Sequence, residues 1–266
     1  MILKNVNISL VVLVIGILTS CDGTKGTQET LQQSTQEEKI TLKLYEAPQK
    51  SSFEDAELKL LQATKKSDTS NIYAFNYEVR NYELMAQTND DKKAHCANSG
   101  DGQHIHFILN NKPYKAKYES SFEEKLDAGD NVILSFLSRS YHESIKNQTA
   151  HTVTVINTQG TEETMVDFDM NQPHLFYSRP KGTYEGEDAK KILVDFFLLN
   201  TTLSENGNKV ILTVDGVDLT ITKWVPYFLE GLEPGEHTFR IKLVNQNNKL
   251  IPGKFNDSGD RTVTIK

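Results

Sequence analysis

The sequence predicts an all-β protein built from two tandem antiparallel β-sandwich domains. Apolar and polar residues alternate with a period of two along most of the chain, which indicates half-buried strands. Gly, Asn, Asp and Pro clusters interrupt these runs every 8–12 residues or so, at about the spacing of turns in a sandwich. Four sequence blocks also occur twice in the same order, so the chain contains two copies of one fold.

The alternating runs predict where the strands lie. Residues 53–64 fit a helix as well as a strand, but the alternation of Ala56, Leu58 and Leu60 favours a strand. The other alternating apolar positions are Ile40, Leu42 and Leu44; Phe75, Tyr77 and Val79; Val153 and Val155; Val210, Leu212 and Val214; and Val263 and Ile265.

The internal repeat predicts the domain boundaries. Residues 77–84 match 196–203, 102–111 match 207–216, 126–130 match 232–236, and 151–155 match 261–265. Each copy has room for about seven short strands, as a β-sandwich requires. We therefore expect a first domain over 39–160 and a second over 171–266, separated by the polar stretch between them.

One repeated turn has a recognisable form. Leu-x-x-Gly followed by Asp or Glu stands at 126–130 and again at 232–236, each time before an apolar strand. This pattern resembles immunoglobulin-like and fibronectin type III-like domains of bacterial surface proteins. The chain lacks the Cys…Trp…Cys spacing of antibody domains, and Trp224 is expected to pack in the second core.

The N-terminus predicts where the protein resides. Lys4 precedes an apolar run over 8–18, which is too short to span a bilayer, and Leu18-Thr19-Ser20-Cys21 follows. The segment resembles a bacterial lipobox, which implies a signal peptide over 1–21 and a diacylated Cys21. Residues 22–38 read as a flexible tether. We expect a lipid-anchored protein of the cell envelope, with the outer membrane favoured, that is periplasmic or surface-exposed.

Composition and motifs exclude several function classes. The 266 residues carry a net charge of −7 with dispersed Lys and Arg, which argues against nucleic-acid binding. After Cys21 no apolar run is long enough to span a bilayer, so the lipid is the only expected membrane contact. Nucleophile-elbow, zincin, phosphate-loop and dinucleotide motifs are missing, so no enzyme is predicted.

The first copy carries a candidate metal site. His104 and His106 alternate on one strand and therefore project from the same face, opposite Ile105. Two such imidazoles can chelate Zn²⁺ or a copper ion. The remaining candidate ligands are His95, Cys96 and His142. The alternatives are hydrogen-bonded or surface histidines with a buried thiol, and, less favoured, a zinc hydrolase.

A second candidate site lies after the strand that follows Gly129. Arg139, Ser140, His142 and Lys146 offer donors that grip a phosphate or carboxylate through charge-assisted hydrogen bonds. They predict a phosphorylated or acidic ligand. The alternative is a polar loop in which Arg139 pairs with Glu143.

Three motifs carry a family resemblance: Gly-Gln-His-Ile-His at 102–106, Asn-Lys-Pro-Tyr at 111–114 and Phe-Leu-Ser-Arg-Ser-Tyr-His-Glu-Ser at 136–144. With Lys-Trp-Val-Pro-Tyr at 223–227, they resemble Bacteroidota-type lipoproteins commonly labelled phosphopeptide-binding-like. The resemblance implies phosphopeptide binding. We expect a non-catalytic binding module for a phosphorylated or acidic protein or peptide ligand, with no cofactor unless Zn or Cu binds. A Zn or Cu lipoprotein and a structural envelope spacer are the alternatives.

Overall fold

The computed structural model describes residues 41–48, 53–91, 97–159 and 168–266. The predictions for the signal peptide over 1–21, Cys21 and the tether over 22–38 lie outside these residues. His95 and Cys96 also lie outside them, as does most of the expected boundary between the domains. These predictions stay as they are.

The first sandwich consists of two sheets. The first described strand, β1 (Lys43–Glu46), belongs to a sheet of the second sandwich, and the first sandwich begins with β2. Its strands are β2 (Glu57–Lys65), β3 (Ile72–Arg80), β4 (His104–Leu109), β5 (Lys115–Lys117), β6 (Ser121–Lys125), β7 (Asp130–Ser138) and β8 (His151–Asn157). They form the sheets β2-β3-β6 and β5-β4-β7-β8. Residues 53–64, which fitted a helix or a strand, contain most of β2.

The second sandwich repeats this arrangement. Its elements are β9 (His174–Arg179), β10 (Gly182–Tyr184), α1 (Glu187–Lys190), β11 (Ile192–Leu199), β12 (Lys209–Val214), β13 (Val217–Ile221), β14 (Tyr227–Glu230), β15 (Gly235–Val244) and β16 (Arg261–Ile265). The sheets run β1-β14-β11-β9 and β10-β16-β15-β12-β13. Strands β3 to β8 therefore correspond one by one to β11 to β16, and the predicted all-β fold with two tandem sandwiches is confirmed.

Two features depart from what the alternation suggested. Strand β1 lies in the range expected for the first domain, yet Leu44 pairs with Leu229 in the second sandwich. The single-turn α1 was not predicted, because four residues are too few to show a helical period. No helix in the part of the chain that the structure describes is long and apolar enough to cross a membrane.

The equivalent hairpins of the two copies use the same turn chemistry. Asn110 and Asn111 both have positive φ, of 52° and 54°, between β4 and β5. Asp215 and Gly216, between β12 and β13, also have positive φ, of 48° and 82°. Left-handed residues in both central positions match the twist of the flanking strands, which is why Asn, Asp and Gly stand there.

The three largest apolar clusters of the described residues hold the molecule together. One fills the first sandwich around Phe75 and Phe107, and another fills the second around Phe239. The third joins the copies: Phe136 on β7 stacks on Phe197 of β11 with ring centroids 4.8 Å apart. The outer face of the β5-β4-β7-β8 sheet thus packs on the outer face of the β1-β14-β11-β9 sheet. In these two sheets, strands β4, β7, β9 and β11 are buried along almost their whole length.

Candidate metal centre

Strand β4 directs two imidazoles into the junction between the copies. Ile105 and Phe107 point into the first core, and His104 and His106 project from the opposite face, as the alternation predicted. That face does not meet solvent, since both histidines have 0% exposure. The second sandwich covers them.

A third imidazole comes from the loop after β7. The loop closes through a hydrogen bond from the Arg139 amide to the Glu143 carbonyl (2.9 Å) and another from the His142 amide to the Arg139 carbonyl (2.9 Å). His142 has a φ of 69°, which a non-glycine residue adopts only rarely. This left-handed turn positions the His142 ring near the start of β4, and the ring stays partly exposed.

The three imidazoles meet at one point. His104 Nε2 lies 3.0 Å from His106 Nε2 and 3.0 Å from His142 Nδ1. All three nitrogen atoms lie within 4.8 Å of one another. Nitrogens that ligate one metal ion at about 2.0–2.1 Å stand a little over 3 Å apart, so the two 3.0 Å separations from His104 Nε2 are close to the required spacing.

In both histidines of β4, the Nδ1 atom has a hydrogen-bond partner. His104 Nδ1 donates to the Gly102 carbonyl (2.8 Å), and His106 Nδ1 lies 3.2 Å from Ser178 Oγ. Protons on these Nδ1 atoms leave the Nε2 lone pairs directed at the centre, as outer partners do in metal sites. A Cβ at residue 102 would stand 2.2 Å from the Met85 carbonyl oxygen, so only glycine fits there.

A hydrogen bond can serve only one of the two close contacts at His104 Nε2. Because His104 donates from Nδ1, its neutral ring offers one lone pair at Nε2. Two nitrogens, from His106 and His142, approach that atom at 3.0 Å, and one lone pair accepts one well-aligned proton. A metal ion accepts the lone pair of every imidazole at once and removes this conflict.

The surroundings keep the imidazoles neutral, which is the form that binds metals. Burial lowers the pKa of His104 to about 4, with Arg179 and Lys181 adding to the effect against the opposing Gly102 carbonyl. Burial likewise holds the pKa of His106 well below its usual range, and the neighbouring imidazoles lower it further. The pKa of His142 is lowered by burial and then by Arg179.

The predicted phosphate-binding patch does not form on the surface. Arg139 is only 4% exposed, and its Nε donates to Glu143 Oε1 (3.1 Å), as the polar-loop alternative proposed. Its guanidinium also lies 3.8 Å from Asp90. Ser140 is fully buried, and its amide donates to Thr88 Oγ1 (3.0 Å). These donors are enclosed and engaged within the fold, which corrects the expectation of an exposed site.

Lys146 also serves the fold rather than an external anion. Its Nζ pairs with Asp195, a carboxylate on β11 with 0% exposure, and donates to Ser144 Oγ (2.6 Å). The Ser144 hydroxyl donates to the same carboxylate (3.1 Å). Lys146 therefore ties the loop of the first copy to the second copy. Of the predicted anion ligands, only His142 lies at the candidate centre.

The structure adds residues that the sequence did not indicate. The Tyr114 ring stacks on His106 at 3.6 Å between centroids, and its hydroxyl lies 3.1 Å from His142 Nδ1. Ser178 and Arg179 reach the triad from β9 of the second copy. One signal for this junction was available: 132–137 reads Val-Ile-Leu-Ser-Phe-Leu, a nearly continuous apolar run typical of a strand buried on both faces.

The segment before β4 lies beside the centre. The Ser99 amide donates to the Ser140 carbonyl (2.8 Å), and Ser99 Oγ is 2.7 Å from the Tyr118 hydroxyl. The Tyr118 ring is 5.1 Å from the His104 ring. Cys96 and His95 precede this segment outside the described residues, so their participation stays a prediction.

Comparisons with known proteins do not identify a family for this chain. No family model matches the chain, and no curated protein does either. The fibronectin(III)-like modules of Clostridium thermocellum CbhA are 10% identical, with a TM-score of 0.25, over 78% of this chain and 92% of that chain. Bacteroides ovatus SGBP-B, solved with a mixed-linkage heptasaccharide, is 8% identical, with a TM-score of 0.21, over 79% of this chain and 70% of that chain. Scores this low carry no argument about ligand or activity.

Proposed function

We propose that this chain is a non-catalytic metal-binding module that holds one Zn²⁺ or copper ion between its two sandwiches. The observation that carries the proposal is the convergence of His104, His106 and His142, with two nitrogens at 3.0 Å from the His104 Nε2 atom. Imidazole suits both metals, and three neutral histidines leave one coordination position open.

The cellular setting belongs to the same proposal. The lipobox resemblance at Cys21 supports a lipoprotein that is anchored in the cell envelope, with the outer membrane favoured. The motifs at 102–106 and 136–144 contain all three proposed ligands, so the resemblance to Bacteroidota-type lipoproteins concerns the same residues. The phosphopeptide-binding label finds no support in Arg139, Ser140 and Lys146, because their donors are engaged internally.

The experiment is a metal titration of the full chain, purified in detergent. Calorimetry with Zn²⁺ and with Cu²⁺, followed by elemental analysis after gel filtration, should give one tightly bound ion per chain. The variant His142→Gly removes one ligand while keeping a residue that tolerates the left-handed backbone. We expect it to weaken binding by more than about 100-fold, because even outer-partner changes cost about 10- to 100-fold.

The second copy supplies the matched control. Asn248 has a φ of 58° in the corresponding loop, so Asn248→Gly makes the same backbone change away from the centre. It should leave affinity and stoichiometry unchanged. If the wild-type chain retains no metal, or if both glycine variants bind equally, the metal proposal fails and a structural envelope spacer becomes the better account.

A further inference from the structure

Arg179 is a buried cation whose hydrogen-bond partners are tyrosines. It lies at the end of β9, is 7% exposed, and donates from Nη1 to the Tyr184 hydroxyl (2.9 Å). The Tyr114 side chain also hydrogen-bonds to it, and the charge of Asp188 acts on it. Among the residues that the structure describes, no carboxylate lies within ion-pair distance of this guanidinium. Its Nε is buried with no acceptor, which is unusual because buried arginines are normally paired.

This cation stands beside the histidine triad. Its guanidinium carbon is 5.3 Å from the centroid of the Tyr114 ring, which stacks on His106 and contacts His142. Ser178, the residue before Arg179, is the hydrogen-bond partner of His106. The charge of Arg179 also lowers the pKa of all three histidines.

A second cation approaches from the same direction. Lys181 Nζ donates to the Tyr114 carbonyl (2.7 Å) and lies 4.2 Å from the centroid of that ring. Asp101 is the one carboxylate that raises the pKa of a triad histidine, and it is exposed. A divalent ion at the triad would therefore lie near two positive side chains, and its three histidine ligands are uncharged. Because no ligand offsets this positive charge, such a centre needs an anion.

We propose that a small oxyanion, a carboxylate or a phosphate, binds between the metal ion and Arg179. One oxygen takes the coordination position that three histidines leave open, and another accepts from the guanidinium, whose planar fork matches oxyanions. His142, the one partly exposed histidine of the triad, marks the entrance. This inference rests on the proposed function and adds the chemical class of the ligand.

The test uses the Cu²⁺-loaded full chain in detergent, titrated with acetate in one arm and with inorganic phosphate in the other. Coordination of an anion shifts the visible absorption of the copper ion, so the shift measures occupancy. The wild-type protein should show a saturable shift in at least one arm. Arg179→Gln should retain its copper and weaken the anion by about tenfold or more, since a charge-assisted bond is lost.

Two further variants keep the result interpretable. Arg179→Lys retains the positive charge but loses the planar fork of the guanidinium. Its affinity for the anion should lie between those of the wild type and Arg179→Gln. Arg240→Gln removes a cation that pairs with Asp257 on the second copy, and it should behave as wild type. Copper that binds without any anion-dependent shift, or with a shift that Arg179→Gln does not weaken, overturns the inference alone. Copper that does not bind at all overturns the proposed function and the inference with it.

Discussion

The same sheet face is built differently in the two copies. On the first copy the outward positions of β4 and β7 are His104, His106, Ile108, Val132, Leu134 and Phe136. According to the strand registers, the equivalent positions of the second copy are Lys209, Ile211, Thr213, Thr238, Arg240 and Lys242. The first set is buried against the other sandwich, and every member of the second set is at least partly exposed. One fold thus provides a solvent face in one copy and a junction that encloses three histidines in the other.

Among substitutions at equivalent positions of the two copies, the one at Phe136 should have the largest effect on stability. Phe136 is 0% exposed and stacks on Phe197, whereas its counterpart Lys242 is partly exposed. Phe136→Ala should lower the free energy of unfolding by about 3–5 kcal/mol, measured by urea denaturation. Lys242→Ala should stay within about 0.5 kcal/mol of wild type. Equal effects at the two positions would mean that the copies do not share a packed junction.

The ion pairs of the two copies give the next contrast. Lys146 neutralises Asp195, whose carboxylate is fully buried, so Lys146→Met leaves an unpaired charge inside the junction. We expect a loss of about 3 kcal/mol in the free energy of unfolding. Arg240→Met breaks the pair with Asp257 near the surface and should cost about 1 kcal/mol or less. A reversed order would contradict the assigned burial of Asp195.

His106→Ile gives the first copy the residue that Ile211 provides in the second. The apolar side chain replaces one ligand while still filling the space beside Tyr114. Affinity for Zn²⁺ or Cu²⁺ should fall at least about 100-fold, or about 2.8 kcal/mol, as calorimetry can measure. The reciprocal Ile211→His should create no site, because Lys209 offers no imidazole beside it. If His106→Ile leaves the affinity for the metal unchanged, His106 is not a ligand.

Metal binding should stabilise the junction by mass action. At a free metal concentration 100 times the dissociation constant, the expected gain is about 2.7 kcal/mol, seen as a higher Tm that a chelator reverses. His142→Gly should lose this response, while Asn248→Gly should keep it. A chelator-sensitive Tm in His142→Gly would show that metal acts at another place.

The sequence was sufficient for what depends on local periodicity. The alternation in β4 predicted that His104 and His106 share a face, and the repeat predicted two tandem sandwiches. The sequence was insufficient for Ser178 and the neighbouring Arg179, because they come near the triad only through the packing of one sandwich on the other. For Arg139 the sequence left two interpretations open, an anion ligand or a partner of Glu143. Only the fold shows that the side chain is buried and that Asp90 lies beside it as well.

Strand β1 shows the same limit. Its apolar alternation was visible, yet its partner β14 lies more than 180 residues away and could not be chosen from the pattern, as the pairing of Leu44 with Leu229 illustrates. Contacts at such separations depend on how whole sheets dock, which single-chain periodicity does not encode.

X-ray absorption at the metal edge of the full chain loaded with Zn²⁺ tests the central claim most directly. The claim predicts three imidazole nitrogens at about 2.0–2.1 Å and one oxygen from an oxyanion in the fourth position. A sulfur scatterer at about 2.3 Å would instead bring Cys96 into the shell as the fourth ligand. A first shell with fewer than three imidazoles, or a chain that retains no zinc, would contradict the assignment of His104, His106 and His142 as a metal centre.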